Sequence, residues 1–179
     1  LGEDKIIHGD VRSLTKSIDN LTKEKRPIDL IVGGPPCQGF SMANSQRLID
    51  DPRNHLYKEF VKIVSVSQPR AFMMENVKGM LSVAEQVVDD FKKKGYVVFY
   101  KIVNAKNYGI PQNRERLIYI GLRKDSFKNP SGILKAVFGQ IEKSKQLTEV
   151  PLESSFWGLR KLVARKEKND TGINSKKSG

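Results

Sequence analysis

Cysteine is almost missing from this chain: one residue, Cys37, in 179. A single thiol excludes an internal disulfide framework, and with only His8 and His55 beside it the sequence holds no set of zinc-ligand spacings. That scarcity points to a reducing, intracellular setting. Long hydrophobic runs are missing too, so no segment reads as a membrane span. Nor is there the charged and then apolar pattern of a secretory leader; the chain opens Leu1-Gly2-Glu3-Asp4-Lys5, without methionine, as a fragment or processed chain would. Acidic residues are outnumbered, 20 against 32 basic, for a net charge of +12. Such an excess fits nucleic acid, because cations that neutralise phosphates release condensed counterions. A lysine-rich solubility surface produces the same balance.

What is present suits a globular domain, with 38% hydrophobic residues. Apolar runs alternate with helix-like segments, the pattern of βα units on a mainly parallel sheet. Strands are predicted near residues 5–8, 28–32, 71–74, 97–103 and 117–122. Residues 55–66 place Leu56, Phe60, Ile63 and Val64 at helical spacing, and residues 83–94 do so with Val83, Val87, Val88 and Phe91. The cations Lys92-Lys93-Lys94 and then Gly95 mark the end of the second helix. Beyond Arg123 the apolar residues thin out, apart from 133–138 and 156–159. The compact unit is expected to span 1–123, with a basic extension over 124–165 and a polar, flexible tail over 166–179. No internal repeat is apparent.

Four polar segments fall where predicted strands end. Cys37 lies in Gly33-Gly34-Pro35-Pro36-Cys37-Gln38-Gly39-Phe40-Ser41, a loop at a strand's carboxyl end, where open α/β sheets bind ligands. Glu75, in Glu75-Asn76-Val77, emerges from an apolar strand; desolvation there would suit it to donate a proton, and it can equally cap a following helix. Arg114 and Arg116 run into a strand as alternate residues, so both can point into one site, or both can be solvated. Asp10, in His8-Gly9-Asp10-Val11, can accept hydrogen bonds from a nucleoside or cap the next helix.

Together, in this order on successive strands, Gly-Asp-Val, Pro-Pro-Cys-Gln-Gly-Phe-Ser, Glu-Asn-Val and Gln-Asn-Arg-Glu-Arg resemble the conserved blocks of the DNA (cytosine-5) methyltransferase family. The resemblance covers residues from about Lys5 to about Arg123, and Asp51-Pro52-Arg53-Asn54-His55-Leu56 and residues 104–111 also look like family segments. It implies a Rossmann-like, S-adenosylmethionine-dependent methyltransferase fold with a mainly parallel sheet. By resemblance Cys37 attacks C6 of a flipped-out cytosine. Glu75 then holds N3 and the exocyclic amine, while Arg116 contacts the carbonyl oxygen and Arg114 lines the pocket. S-adenosylmethionine is the implied methyl donor, with Asp10 and Val11 at its adenine and Pro36 and Leu56 at its border. Residues 38–51 are the implied mobile loop closing over the base.

The family's glycine-rich cofactor loop and target-recognition region have no counterpart here, so the fold is expected to lack its first strands and to bind cofactor poorly alone. A further segment or a second chain would supply them. The implied partners are double-stranded DNA and S-adenosylmethionine. The implied setting is cytoplasm or nucleoid in a bacterium and nucleus in a eukaryote, with the short blocks leaning to a bacterial restriction-modification enzyme. A cytidine deaminase is excluded because Cys37 has no second cysteine to share zinc with. An RNA methyltransferase on the same scaffold is the nearer rival, and Gln38-Gly39-Phe40-Ser41 leans toward DNA. The non-enzyme alternative is an inactive subunit that binds nucleic acid.

Overall fold

In a computed structural model of the chain, the described residues are 8–13, 18, 27–36, 55–145 and 150–152. Their main elements are β1 (Leu30–Gly33), α1 (His55–Ser67), β2 (Ala71–Val77), α2 (Ala84–Lys92), β3 (Tyr96–Asn104), β4 (Glu115–Arg123) and α3 (Pro130–Lys143). Short 3-10 turns at Val11–Ser13, Lys78–Val83, Ala105–Tyr108 and Lys124–Ser126 complete the order.

The sheet order is β1-β2-β4-β3. β1 pairs parallel with β2, whereas β4 is antiparallel to both β2 and β3. Three strands therefore run one way, and β4 alone is inserted in reverse between β2 and β3. The parallel expectation describes strand direction, yet two of the three described pairings are antiparallel. The cause is connection length: helical crossovers return β2 and β3 to the starting direction, while the short link over 105–114 turns the chain straight back into β4.

β2 is the central strand, and its alternating pattern buries Phe72, Met74 and Asn76 on one face. There α1 contributes Tyr57, Phe60, Val61 and Val64, and α2 contributes Ala84, Val87, Val88 and Phe91. Phe72 stacks on Phe91 with centroids 4.1 Å apart and meets Tyr96 edge-on at 5.4 Å. Its register partner is Gly121, and a side chain there would run into the Phe72 ring. Glycine is thus needed on β4 to admit an aromatic ring from β2.

The ends of the elements follow from the same packing. α2 stops where Gly95, at φ +90°, reverses the chain and donates to the Lys92 carbonyl at 3.1 Å. The predicted helix over 83–94 begins instead at Ala84, because Lys78–Val83 forms a separate 3-10 turn that buries Met80. β2 runs on to Val77 rather than ending at Met74, since pairing with β4 continues as far as Val77 opposite Arg116. The strand predicted near 5–8 falls mostly outside the described residues, and His8 is not in a strand.

Packing also continues past Arg123. In α3, Asn129 accepts from the Gly132 amide at 2.9 Å as N-cap, and Pro130 occupies the first turn. Leu134 and Phe138, four residues apart, are buried, and Phe138 stacks with Phe99 at 6.4 Å. Phe99 alternates with the core-facing Tyr96 and Val98, so α3 covers the sheet face opposite α1 and α2. The thinning of apolar residues after Arg123 concealed this, because one stripe of two residues suffices for a surface helix.

Candidate active site

β1 and β2 run side by side with Gly33 opposite Met74, so the chain leaving β1 passes directly by Glu75. An added Cβ on Gly34 would lie 3.1 Å from Glu75 Oε2, so the chain passes close to the carboxylate here. One residue on, the Pro35 carbonyl accepts from Asn76 Nδ2 at 3.1 Å. Asn76 is 3% exposed, and its Oδ1 accepts from the Val77 amide at 2.8 Å. A buried amide with both ends bonded fastens the Gly34-Pro35-Pro36 segment to the end of β2. Cys37 lies just outside the described residues, as does the predicted mobile loop over 38–51.

Arg116 Nε and Glu75 Oε1 form an ion pair 2.6 Å apart. Register explains the meeting: Glu75 is opposite Ile118 and Arg116 is opposite Val77, which makes the two side chains diagonal neighbours on one face. Arg116 Nη1 also donates to the Glu115 carbonyl at 2.8 Å, which holds the guanidinium in place. Both side chains are half-buried, accessible enough to meet a ligand. Beside them Lys78 Nζ donates to Glu115 Oε2 at 2.8 Å, adding a second ion pair on the rim.

Arg114 behaves differently from Arg116. It precedes β4, and its side chain is exposed. Its amide donates to Asn104 Oδ1 at 3.1 Å, and its carbonyl accepts from the Ala105 amide at 3.0 Å. The structure therefore brings Glu75, Arg116 and the Gly34-Pro35-Pro36 segment together, with Arg114 on the loop beside them.

Of the residues expected at a nucleoside, Pro36 belongs to that segment, Leu56 lies in the first turn of α1, and Asp10 and Val11 stand at the Val11–Ser13 turn. Asp10 Oδ1 accepts from the Arg12 amide at 2.9 Å, and both carboxylate oxygens accept from Arg12 Nε. These bonds hold the Asp10 carboxyl down at about 2, well below the usual carboxylate range. The Asp10 carbonyl accepts from the Ser13 amide and hydroxyl, closing the Val11–Ser13 turn. Val11 and Leu56 are half-buried and Pro36 is exposed.

Two site residues escaped sequence reasoning. Asn76 had a signal, a polar residue continuing the buried alternation Phe72, Met74. Asn104 had little, as a polar residue ending an apolar strand is common. Among the described residues no cluster of three or more His, Cys, Asp or Glu could hold a metal ion. Among those residues no helix is long and apolar enough to cross a membrane.

Known proteins resemble this chain in sequence and fold. The chain is 38% identical over 177 residues to the Type II methyltransferase M.FnuDI of Fusobacterium nucleatum, an alignment covering 93% of this chain and 46% of the relative. It is 44% identical over 130 residues to the Type II methyltransferase M1.HphI of Haemophilus parahaemolyticus, covering 65% and 35%. Its α/β fold matches a prophage-encoded E. coli structure described as a DNA modification methyltransferase, with TM-score 0.64, 29% identity and coverage of 88% and 42%. The Entamoeba histolytica methyltransferase EhMeth matches with TM-score 0.51 at 25% identity, covering 69% and 39%. The chain thus spans less than half the length of these relatives. The sequence profile of the C-5 cytosine-specific DNA methylases matches residues 3–178, and the chain belongs to that family.

Proposed function

We propose that this chain carries the nucleophile and the base pocket of a DNA (cytosine-5) methyltransferase of the Type II restriction-modification kind. The observation that carries the proposal is the Glu75–Arg116 pair, 2.6 Å apart, seated against the segment that leads into Cys37. A carboxylate and a planar guanidinium side by side match the donor and acceptor edge of cytosine: Glu75 faces the amine and N3, and Arg116 the carbonyl oxygen. Holding both in place before the base arrives favours the ring as it takes up charge. Arg114, exposed on the adjoining loop, adds positive potential at the pocket.

In this reading the Cys37 thiolate forms a bond to C6 and the ring electrons move to C5, which becomes the nucleophile. S-adenosylmethionine, when bound, supplies a methyl group made electrophilic by its sulfonium. Loss of the C5 proton to a base then returns the electron pair that expels the Cys37 thiolate and restores the ring. Asn76 serves the first step by fastening the Pro35 carbonyl where the chain leaves β1 toward Cys37.

The residue chemistry at the implied cofactor positions fits a nucleoside. Asp10, ionised at neutral pH, offers acceptor oxygens to an amino or hydroxyl donor, and Val11, Pro36 and Leu56 offer apolar surface. The outer edge of β1 supports completion by further polypeptide, because Leu30 and Val32 are 56% and 58% exposed on the face that carries Glu75. The net charge of +12 supports double-stranded DNA as the partner.

The deciding experiment uses a 5-fluorocytosine duplex with S-adenosylmethionine, because fluorine at C5 blocks proton loss and traps the adduct. The chain, supplied with any completing segment, forms a denaturant-stable adduct that Cys37→Ser abolishes while salt-sensitive DNA binding persists. No adduct from the completed protein would mean a binding subunit instead. A thermal-shift titration of the chain alone tests incompleteness, and micromolar cofactor binding would refute it.

A further inference from the structure

Arg116 reaches Glu75 only if β4 starts at the right residue. The strands β3 and β4 are joined by a ten-residue link over 105–114, and links of that length specify register weakly compared with two-residue hairpins. A slip of one residue would turn Arg116 to the opposite face and put Glu115 or Leu117 in its place.

One side chain closes this link. Asn104, the last residue of β3, accepts at Oδ1 from the Lys106 amide at 3.2 Å and from the Arg114 amide at 3.1 Å. Its Nδ2 donates to Asn113 Oδ1 at 2.7 Å. The Ala105 amide, donating to the Arg114 carbonyl at 3.0 Å, adds a backbone bond across the same gap. A single amide group thus bonds the first turn of the link and both residues at its far end. Asn104 is the register partner of Glu115, and Val103 that of Arg116, so the clamp sits one rung from the arginine it controls.

We infer that Asn104 is a positioning residue, clamping the 105–114 link so that β4 enters in the register that presents Arg116 to Glu75. Its purpose rests on the methyl-transfer reading; its geometry does not. Asparagine suits the task because it combines an acceptor that takes two amides with a donor for Asn113. Aspartate preserves the first function and lacks the second, whereas alanine has neither.

The test is NMR of the 179-residue chain, following hydrogen exchange at the Lys106 and Arg114 amides and the chemical shift of Arg116 Nε–H. Asn104→Ala speeds exchange at both amides by about tenfold or more relative to the β2–β4 ladder. The Arg116 Nε–H signal, shifted by the Glu75 carboxylate beside it, moves toward the position of a free guanidinium in the same variant. Asn104→Asp keeps the two amides slow and restores the Arg116 signal at least in part. If Asn104→Ala leaves the Arg116 signal and both amides as in the parent, the clamp is refuted. If Asn104→Ala does not fold, Asn104→Asp decides: slow amides with the Arg116 signal at its parental position support the clamp, and fast amides with that signal unmoved overturn it. None of these readouts requires catalysis, so a completed protein that forms no cytosine adduct would sink the proposed function and leave the clamp standing or falling by itself.

Discussion

β2 and β1 lie side by side and meet opposite fates. β2 has neighbours on both edges and buries Phe72, Met74 and Asn76 among α1, α2 and β4. Among the described residues β1 is paired on one edge, and two of its four residues, Leu30 and Val32, expose most of their apolar surface. Their partners on β2 are Ala71 and Met73, so the exposed stripe continues along the sheet face that carries Glu75. The difference teaches where the described core lies: it is built around β2, and β1 adds an exposed apolar face beside it.

The largest effect that would break this contrast comes from emptying the centre of β2. Phe72→Ala should cost about 3–5 kcal/mol, because it removes a ring packed on Phe91, Phe60 and Tyr96 and leaves a cavity. Chemical denaturation measures it, and a cost below 1 kcal/mol, a rough threshold for surface sites, would show that the centre is loosely packed. Next comes Glu75→Gln, which keeps the shape but removes the charge facing Arg116. The adduct assay on the completed protein should slow by about 10²–10³-fold, the usual scale for losing one preorganised electrostatic contact. An unchanged rate would remove Glu75 from the pocket.

A pH experiment sharpens the same comparison. Tyr96 is fully buried on the β2 side, donates to the Pro69 carbonyl at 2.7 Å, and burial pushes its hydroxyl from 10.0 up to about 12. The folded chain holds this proton more tightly than the unfolded chain. Its contribution is therefore complete below about pH 10 and is lost as pH rises to about 12; two units correspond to on the order of 2–3 kcal/mol. Tyr96→Phe should flatten the alkaline limb of the stability profile, and an unaltered slope between those limits would contradict the assignment. The smallest effect is expected on β1. Leu30→Lys should change the stability of the isolated chain by about 0.5 kcal/mol or less, since the side chain is already exposed. In the completed protein the same substitution should weaken assembly, and equal effects in both would argue that nothing covers this edge.

Much of this was legible in the residues. The alternation of apolar runs and helical stripes located β1, α1, β2, β3 and β4, because period-2 and period-3.6 patterns report which faces are buried. Of the four polar blocks, the one holding Gly34 follows the end of β1, whereas Glu75 and Arg116 lie within β2 and β4 and meet across that pair. The strand expected before Asp10 falls mostly outside the described residues. Other features were invisible for definite reasons. Glu75 and Asn76 interrupt an apolar run, so β2 seemed to stop at Met74, whereas pairing with β4 carries it to Val77. α3 hides behind a polar composition because Leu134 and Phe138 are its whole buried stripe. Arg114 and Arg116 look equivalent in sequence, yet only Arg116 is within the β4 ladder.

The order of motifs around one cysteine determined the family of this chain, and its charge and composition determined the class of partner to consider. Such properties are linear: they depend on which residues occur and at what spacing. Which arginine faces Glu75, how the Gly34-Pro35-Pro36 segment is fastened, and which apolar face of β1 is exposed were decided by the tertiary structure. These depend on strand register and on neighbours distant in sequence, and a one-residue shift in register would exchange the faces without changing a single letter.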